Sequence, residues 1–250
     1  MPHPTVLAIQ HVRCEGLGII AAALRAKGLV IRRIQVFDDR PVPESAGGAV
    51  GLIVMGGPMG VGDGGRYPWL RSEMRLMEDA LRRGLPVMGV CLGSQVLASV
   101  LGSKVRPGRV REIGWHKVRL SPAASRDRLF RGLPQAFEAL HWHTDVFNPP
   151  PGSEVLASSD QTRVQAFRHG DRAYGLLLHL EVGLGDVRGM LRSFGREAEM
   201  AGSSRQRILD DSKLFLPGAV ALGRQVFRRW ASLCADMRGE KPVISPMPSG

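Results

Sequence analysis

Three residues of this chain have the types and placement for acyl transfer through a thiol: Cys91, His179 and Glu181. Cys91 stands in Leu85-Pro86-Val87-Met88-Gly89-Val90-Cys91-Leu92-Gly93-Ser94-Gln95, an apolar run, a G-x-C-x-G corner and the opening of a helix. That is the spacing of a nucleophile elbow, with Cys where the hydrolase version has Ser. Glycines on both sides relieve the crowding of a sharp strand-to-helix turn. The corner would hold the thiol at the carboxyl end of a strand, facing the first free N–H groups of the next helix. Those donors and the helix dipole favour thiolate over thiol and can receive an oxyanion. The plainer alternative is a free cysteine packed at a strand end.

A thiol nucleophile needs a base, usually a histidine oriented by a carboxylate. Seven histidines are present. His3 stands at the chain end and His169 in a Gly turn, which makes both poor bases. His11 follows the first apolar run, and His116, His141 and His143 fall in the middle of the chain. His179 ends Tyr174-Gly175-Leu176-Leu177-Leu178-His179-Leu180-Glu181. There it projects from a strand end, and two-residue spacing lets Glu181 turn back onto the imidazole. Spacing alone leaves His179 open between a base and a structural histidine.

The elements that would position these groups begin with a strand at Thr5 to Gln10, a helix from Gly16 to Lys27 and a strand from Val30 to Val36. A strand at Gly51 to Met55 leads into Gly56-Gly57-Pro58. A helix spans Tyr67 to Arg83, its methionines in the core, and the Leu85 to Val90 strand feeds a helix from Leu92 to Leu101. Alternating strands and helices predict a mostly parallel sheet covered on both faces, with ligands beyond the carboxyl ends of its strands. From Val110 the chain turns β-rich. Val110 to Leu120, Ala136 to Trp142, Glu154 to Ser159, Val164 to Arg168 and Ala173 to His179 read as short, antiparallel strands punctuated by prolines. Three helices follow: Asp186 to Phe194, Arg205 to Phe215 and Ala219 to Met237. Residues 239–250, rich in proline, read as disordered.

The 250 residues are 44% hydrophobic and 23% charged, which fits a globular fold. No apolar run has the length of a membrane span. The first residues lack a secretory signal, so the expected compartment is the cytoplasm. Cys14, Cys91 and Cys234 give neither a disulfide framework nor a metal-ligand spacing, so no metal or other cofactor is expected. Net charge is +11. All but five of the 34 basic residues are Arg, spread along the chain without interleaved aromatics, so nucleic acid is not the expected partner.

The Gly-Val-Cys-Leu-Gly-Ser-Gln motif, Gly56-Gly57-Pro58 upstream and His179-Leu180-Glu181 downstream resemble the class I, triad-type glutamine amidotransferases. They are most similar to stand-alone members related to the glutaminase domain of GMP synthase. The likeness runs from about Thr5 to Val182 and more weakly to Trp230. It implies an α/β, flavodoxin-like fold with a mostly parallel sheet, helices on both faces, a β-rich antiparallel segment and C-terminal helices. It implies an amidotransferase domain over 1–195, a helical extension packed on it over 196–238, and a tail over 239–250. Carried over by position, Cys91 attacks the side-chain amide of glutamine, His179 moves the proton and Glu181 orients His179. The N–H groups of Gly57 and Leu92 form the oxyanion hole, and Gln95 helps hold the substrate. His141-Trp142-His143-Thr144-Asp145-Val146-Phe147 matches the segment gripping the amino-acid end of glutamine, through Trp142, His143, Thr144 and Asp145. Glu112-Ile113-Gly114-Trp115 matches the strand beside the pocket. Four positions depart from the family pattern: Leu177 and Leu178 replace Gln-Phe before the base, Leu180 replaces a Pro as in other stand-alone members, and Thr144 replaces a Gly. No stretch resembles an ATP-pyrophosphatase domain, and Gly60 to Gly65 lacks the Lys-Ser/Thr of a phosphate-binding loop.

Three functions follow. The first is glutamine hydrolysis, with ammonia passed to a partner synthetase or another acceptor. The second is a γ-glutamyl peptidase using the same three residues. The third is a binding or regulatory protein that keeps the fold with little turnover.

Overall fold

Alternate residues of the first strand feed two different cores: Val6 and Ala8 face one side, Leu7 and Ile9 the other. A strand buried on both faces belongs in the middle of a covered sheet, and the computed structural model places it there. The structure describes residues 3–38 and 40–237; the proline-rich segment 239–250 lies outside them.

In chain order the elements are β1 (Thr5–Gln10), α1 (Gly18–Ala26), β2 (Val30–Gln35), β3 (Gly51–Val54), α2 (Trp69–Arg82), β4 (Val87–Val90) and α3 (Leu92–Val100). There follow β5 (Val105–Leu120), β6 (Ala136–Phe147), β7 (Ser153–Ser158), β8 (Ala166–His169), β9 (Ala173–Leu176), α4 (Leu184–Met200) and α5 (Arg205–Asp236). The strands form one sheet in the order β2-β1-β3-β4-β9-β8-β7-β5-β6. Pairing is parallel from β2 to β9 and antiparallel from β9 to β6. The expected mostly parallel sheet with an antiparallel segment is therefore present, and β9 joins the two halves.

One face is covered by α1 and the C-terminal half of α5, through Ile20, Leu24, Val226, Phe227 and Trp230. The other is covered by α2 and α3, through Leu70, Leu76, Met77, Val96 and Leu97. A smaller third core joins α4 and the start of α5 to the β5–β6 ribbon through Ile113, Leu140, Trp142, Val187, Met190 and Ile208. Among the described residues no helix is long and apolar enough to cross a membrane.

Three expectations are corrected. The two helices read over Arg205 to Met237 are one, with Pro217 inside it. Proline removes a helical N–H and crowds the carbonyl four residues back, at a cost of ~3 kcal/mol. Here Pro217 and Lys213 are both exposed, so the freed carbonyl meets water, while Ile208 on one side and Phe227 on the other anchor both halves. Second, β5 starts at Val105, not at the expected Val110, and runs through Pro107 and Gly108. Its register to β6 breaks between Pro107 and Glu112, and β7 pairs only with its far end, so Pro107 loses no ladder bond on that open side. Third, β9 ends at Leu176. Leu177 and Leu178 follow through a bend, each fully buried and filling a different core. The Leu-Leu pair is thus packing on opposite faces of the sheet.

Candidate active site

Cys91 ends β4 and caps α3 with φ 48° and ψ −109°, the single non-glycine residue with positive φ among those described. Such strain persists only where the surroundings impose it. A Cβ on Gly89 would stand 2.3 Å from the Gly93 carbonyl oxygen, and one on Gly93 would stand 2.0 Å from that of Val54. Both glycines are therefore required by close backbone approach, and the elbow geometry follows. The Cys91 N–H donates to Leu176 O of β9 at 2.8 Å, which locks the corner to the next strand.

His179 arrives from that neighbouring strand. Its N–H donates to Leu140 O at 2.8 Å, so the chain leaving β9 is stitched to β6. Its Nδ1 lies 2.6 Å from Glu181 Oε1, while its buried Nε2 has no hydrogen-bond partner. The Glu181 carbonyl accepts from Ile19 N–H at 2.9 Å, which pins the acid to the start of α1. Burial works against the imidazolium, but the charges of Glu181 and Cys91 outweigh it and hold His179 well above its ordinary pKa. For Cys91 the balance runs the other way: burial raises the thiol pKa, and the neighbouring His179 pulls it only part of the way back. Desolvation is the largest influence on this thiol, because a thiolate loses more than a thiol when water is excluded. Cys91 Sγ donates weakly to Trp142 O at 3.6 Å.

A cavity of about 410 Å³ opens over the thiol. Its lining includes the expected Cys91, Gly57, Gln95, Trp142, His143, Thr144 and Asp145, drawn from three separated stretches. Gln95 Nε2 donates to Asp145 O at 3.3 Å, tying α3 to the end of β6. Among the described hydrogen bonds none takes the N–H of Gly57 or Leu92, and of the two Gly57 lines the cavity. His143 is pushed down to about 3 by burial and the adjacent His141, so it is a neutral group in the wall. Burial and Asp63 raise the Asp145 carboxyl.

Several residues are brought to the site that sequence reading missed. Glu15 enters from the loop after β1, Arg111 from β5, and Phe194, Glu197 and Met200 from α4. Glu197 accepts from Trp142 Nε1 at 3.3 Å. Glu15 had one signal: it follows β1 at the carboxyl edge of a parallel sheet, where ligands bind. His11 is not a base. Its Nε2 lies 2.7 Å from buried Glu73 and its Nδ1 2.9 Å from Gly56 O, and the ring stacks on Trp69 at 5.1 Å, so it braces the Gly56-Gly57 turn. Behind the pocket, Glu112 accepts from Ser159 at 2.6 Å and from Gln165 at 2.9 Å. Burial opposes its charge, but the adjacent His141 and the hydrogen bond from Ser159 bring it down to about 2. Two buried triplets have donor atoms within 4.8 Å of one another, the spacing a metal would need: Glu15, Cys91 and His179, and Glu112, His141 and His143.

The sequence model of the family described as glutamine amidotransferase class-I matches residues 19–197. The chain belongs to this family. The glutamine amidotransferase-like protein YfeJ of Salmonella typhimurium is 27% identical over 79% of this chain and 84% of its own. A subunit of the glutamine-hydrolysing GMP synthase of Sulfurisphaera tokodaii is 38% identical over 48% of this chain and 64% of its own. The match to the GMP synthase of Clostridium kluyveri covers only 24% of that longer protein. A crystal structure of a glutamine amidotransferase from Thermotoga maritima aligns with a TM-score of 0.83 at 28% identity, over 92% of this chain and 99% of that one. One from Methylobacillus flagellatus gives 0.85 at 27%, over 93% and 96%. The amidotransferases share the α/β architecture described above, helices on both faces included.

Proposed function

We propose that this amidotransferase hydrolyses the side-chain amide of glutamine through a thioester on Cys91, giving glutamate and ammonia. The observation that carries this reading is the closed His179–Glu181 contact with the second imidazole nitrogen unpartnered beside the thiol. Cys91 attacks the amide carbon after passing its proton to His179. Glu181 holds His179 in the tautomer that accepts at Nε2. The Gly57 and Leu92 N–H groups receive the oxyanion, each donor contributing about 10²–10³ in rate. His179 returns the proton to the departing nitrogen, and then activates the water that cleaves the thioester. Gln95, Trp142, His143, Thr144 and Asp145 form the wall against which the amino-acid end of glutamine lies.

The ammonia goes to a partner synthetase or another acceptor in the cytoplasm, in keeping with the S. tokodaii relative's being named as part of a synthase. We assign residues 1–195 to the amidotransferase domain and 196–238 to a helical extension of it. A γ-glutamyl peptidase is the second reading. It is favoured by the reach of the cavity past the glutamine segment to Arg111, Phe194 and Met200, room for a larger acyl-amine.

Purified protein incubated with glutamine should release glutamate and ammonia in equal amounts, and Cys91→Ala should release neither. Glutamate release that survives Cys91→Ala would remove Cys91 as the nucleophile. Turnover of γ-glutamyl dipeptides well above that of glutamine would select the second reading.

A further inference from the structure

One carboxyl group in the cavity has no part in the scheme above. Glu15 is 8% exposed, and that remaining surface faces the cavity it lines. One of its carboxyl oxygens lies within 4.8 Å of both Cys91 Sγ and a His179 nitrogen. Among the described residues no hydrogen bond or ion pair takes up this carboxyl, whereas buried carboxylates elsewhere in the chain, Glu73, Glu112 and Glu181, all have partners. The backbone makes room for it. A Cβ at Gly56 would stand 1.9 Å from Glu15 Oε2 and 3.3 Å from Cys91 Cβ, so the bare glycine separates the acid from the nucleophile by one small niche.

A carboxyl here must answer to a polar group of the substrate, since a buried acid without a partner is costly. The carbonyl oxygen of the scissile amide is claimed by the Gly57 and Leu92 N–H donors, and an anion would repel a developing oxyanion. The amide nitrogen is the remaining polar atom at the reacting centre, and its N–H groups are donors. The cavity as a whole points the same way. In a chain of net charge +11, its lining carries Glu15, Asp145 and Glu197 against the single cation Arg111.

We propose that Glu15 forms the subsite of the leaving amine: its carboxyl accepts hydrogen bonds from the scissile amide nitrogen and stabilises that nitrogen as it gains a proton and departs. This rests on the glutamine-hydrolysing reading above. In the step itself the S–C bond forms and the carbonyl π pair moves to oxygen. The proton that left the thiol passes from His179 to nitrogen. The C–N bond then breaks, its electron pair stays on nitrogen, and the carbonyl re-forms as the thioester. Glu15 neither gains nor loses a proton overall; it faces a nitrogen that carries positive charge between protonation and C–N cleavage. That charge develops away from bulk water, where a fixed carboxylate acts with little screening. Burial raises the Glu15 carboxyl to about 7, Glu181 and Glu197 pushing the same way while His179 and His11 oppose them. An incoming ammonium-like nitrogen therefore draws the group into its charged form in the neutral range.

The test compares leaving groups. Glutamine leaves as an amine that must be protonated, whereas the para-nitrophenyl γ-ester of glutamate leaves as a phenolate that needs no proton. kcat/KM reports the acylation step for both. Glu15→Gln should lower kcat/KM for glutamine about 100-fold and for the ester less than about threefold. Glu15→Asp, which keeps the carboxyl but withdraws it by one methylene, should show the same selective loss to a smaller degree, and serves if the Gln variant does not fold. Equal losses on both substrates, or glutamine turnover unchanged in either variant, would overturn the assignment. Wild-type protein that cleaves the ester but no γ-glutamyl amide fails at the earlier reading, and the leaving-amine subsite falls with it.

Discussion

Two buried histidines in this amidotransferase each close on a glutamate at nearly the same distance. His179 Nδ1 meets Glu181 at 2.6 Å, and His11 Nε2 meets Glu73 at 2.7 Å. Both are held above the ordinary histidine pKa by that neighbour, against the pull of burial. What separates them is the other nitrogen. His11 commits its Nδ1 to the Gly56 carbonyl and stacks on Trp69, so both nitrogens and one face of the ring are used in holding the Gly56-Gly57 turn. His179 keeps Nε2 unpartnered beside Cys91. A His–Glu contact is therefore no signature of a base. An uncommitted second nitrogen facing a nucleophile is.

The comparison can be broken by exchanging its consequences. His179→Ala should lower kcat for glutamine about 10⁵-fold while leaving the melting temperature within a few degrees of wild type. If His11→Ala costs as much activity per folded molecule, the two pairs are not distinct in role. Next in size, Glu181→Gln should cost about 10³–10⁴-fold, because the wrong tautomer then faces the thiol. A loss under tenfold would mean that packing alone orients His179. Glu73→Gln should act on folding instead: urea unfolding should show ~3–5 kcal/mol of lost stability, since one member of a buried pair is left alone. Its activity in the absence of urea should stay within about tenfold of wild type.

The smallest effect is one of pH. The folded pKa of His11 is raised, so the stability it contributes is fully present below the unfolded value near 6.5 and is lost as pH rises through the folded value. The stability gap between wild type and His11→Ala should therefore narrow on the alkaline side, by at most ~1.4 kcal/mol per pH unit. The sign reverses for His143. Its folded pKa is lowered to about 3, so its contribution is present above 6.5 and is lost as pH falls toward 3. Urea midpoints measured from pH 4 to 9 separate the two. A gap at His11 that widens with pH would contradict the ion-pair reading.

The halves of the site were unequally legible in the sequence. Cys91 could be read because its requirements are local: two glycines within four residues, an apolar strand before and a helix after. His179 was half legible, since its position at a strand end and the acid two residues on fit a base and a structural histidine alike. Resemblance to the family, not periodicity, favoured it. Leu177 and Leu178 look like an anomaly in one dimension and become ordinary packing once each faces its own core. Pro217 reads as a helix end because the rule against interior proline is local, whereas the anchoring of both flanks is not.

By itself, the order of residues determined the sheet-and-helix alternation and the elbow, because turn sterics and strand burial act over a few neighbouring residues. Only the tertiary structure decided which of two equivalent His–Glu contacts has a free nitrogen, how deeply Cys91 is buried, and that Glu15 stands beside Cys91 and His179. Those outcomes depend on the distance between groups far apart in the chain and on the water excluded between them, and neither quantity is written in local sequence.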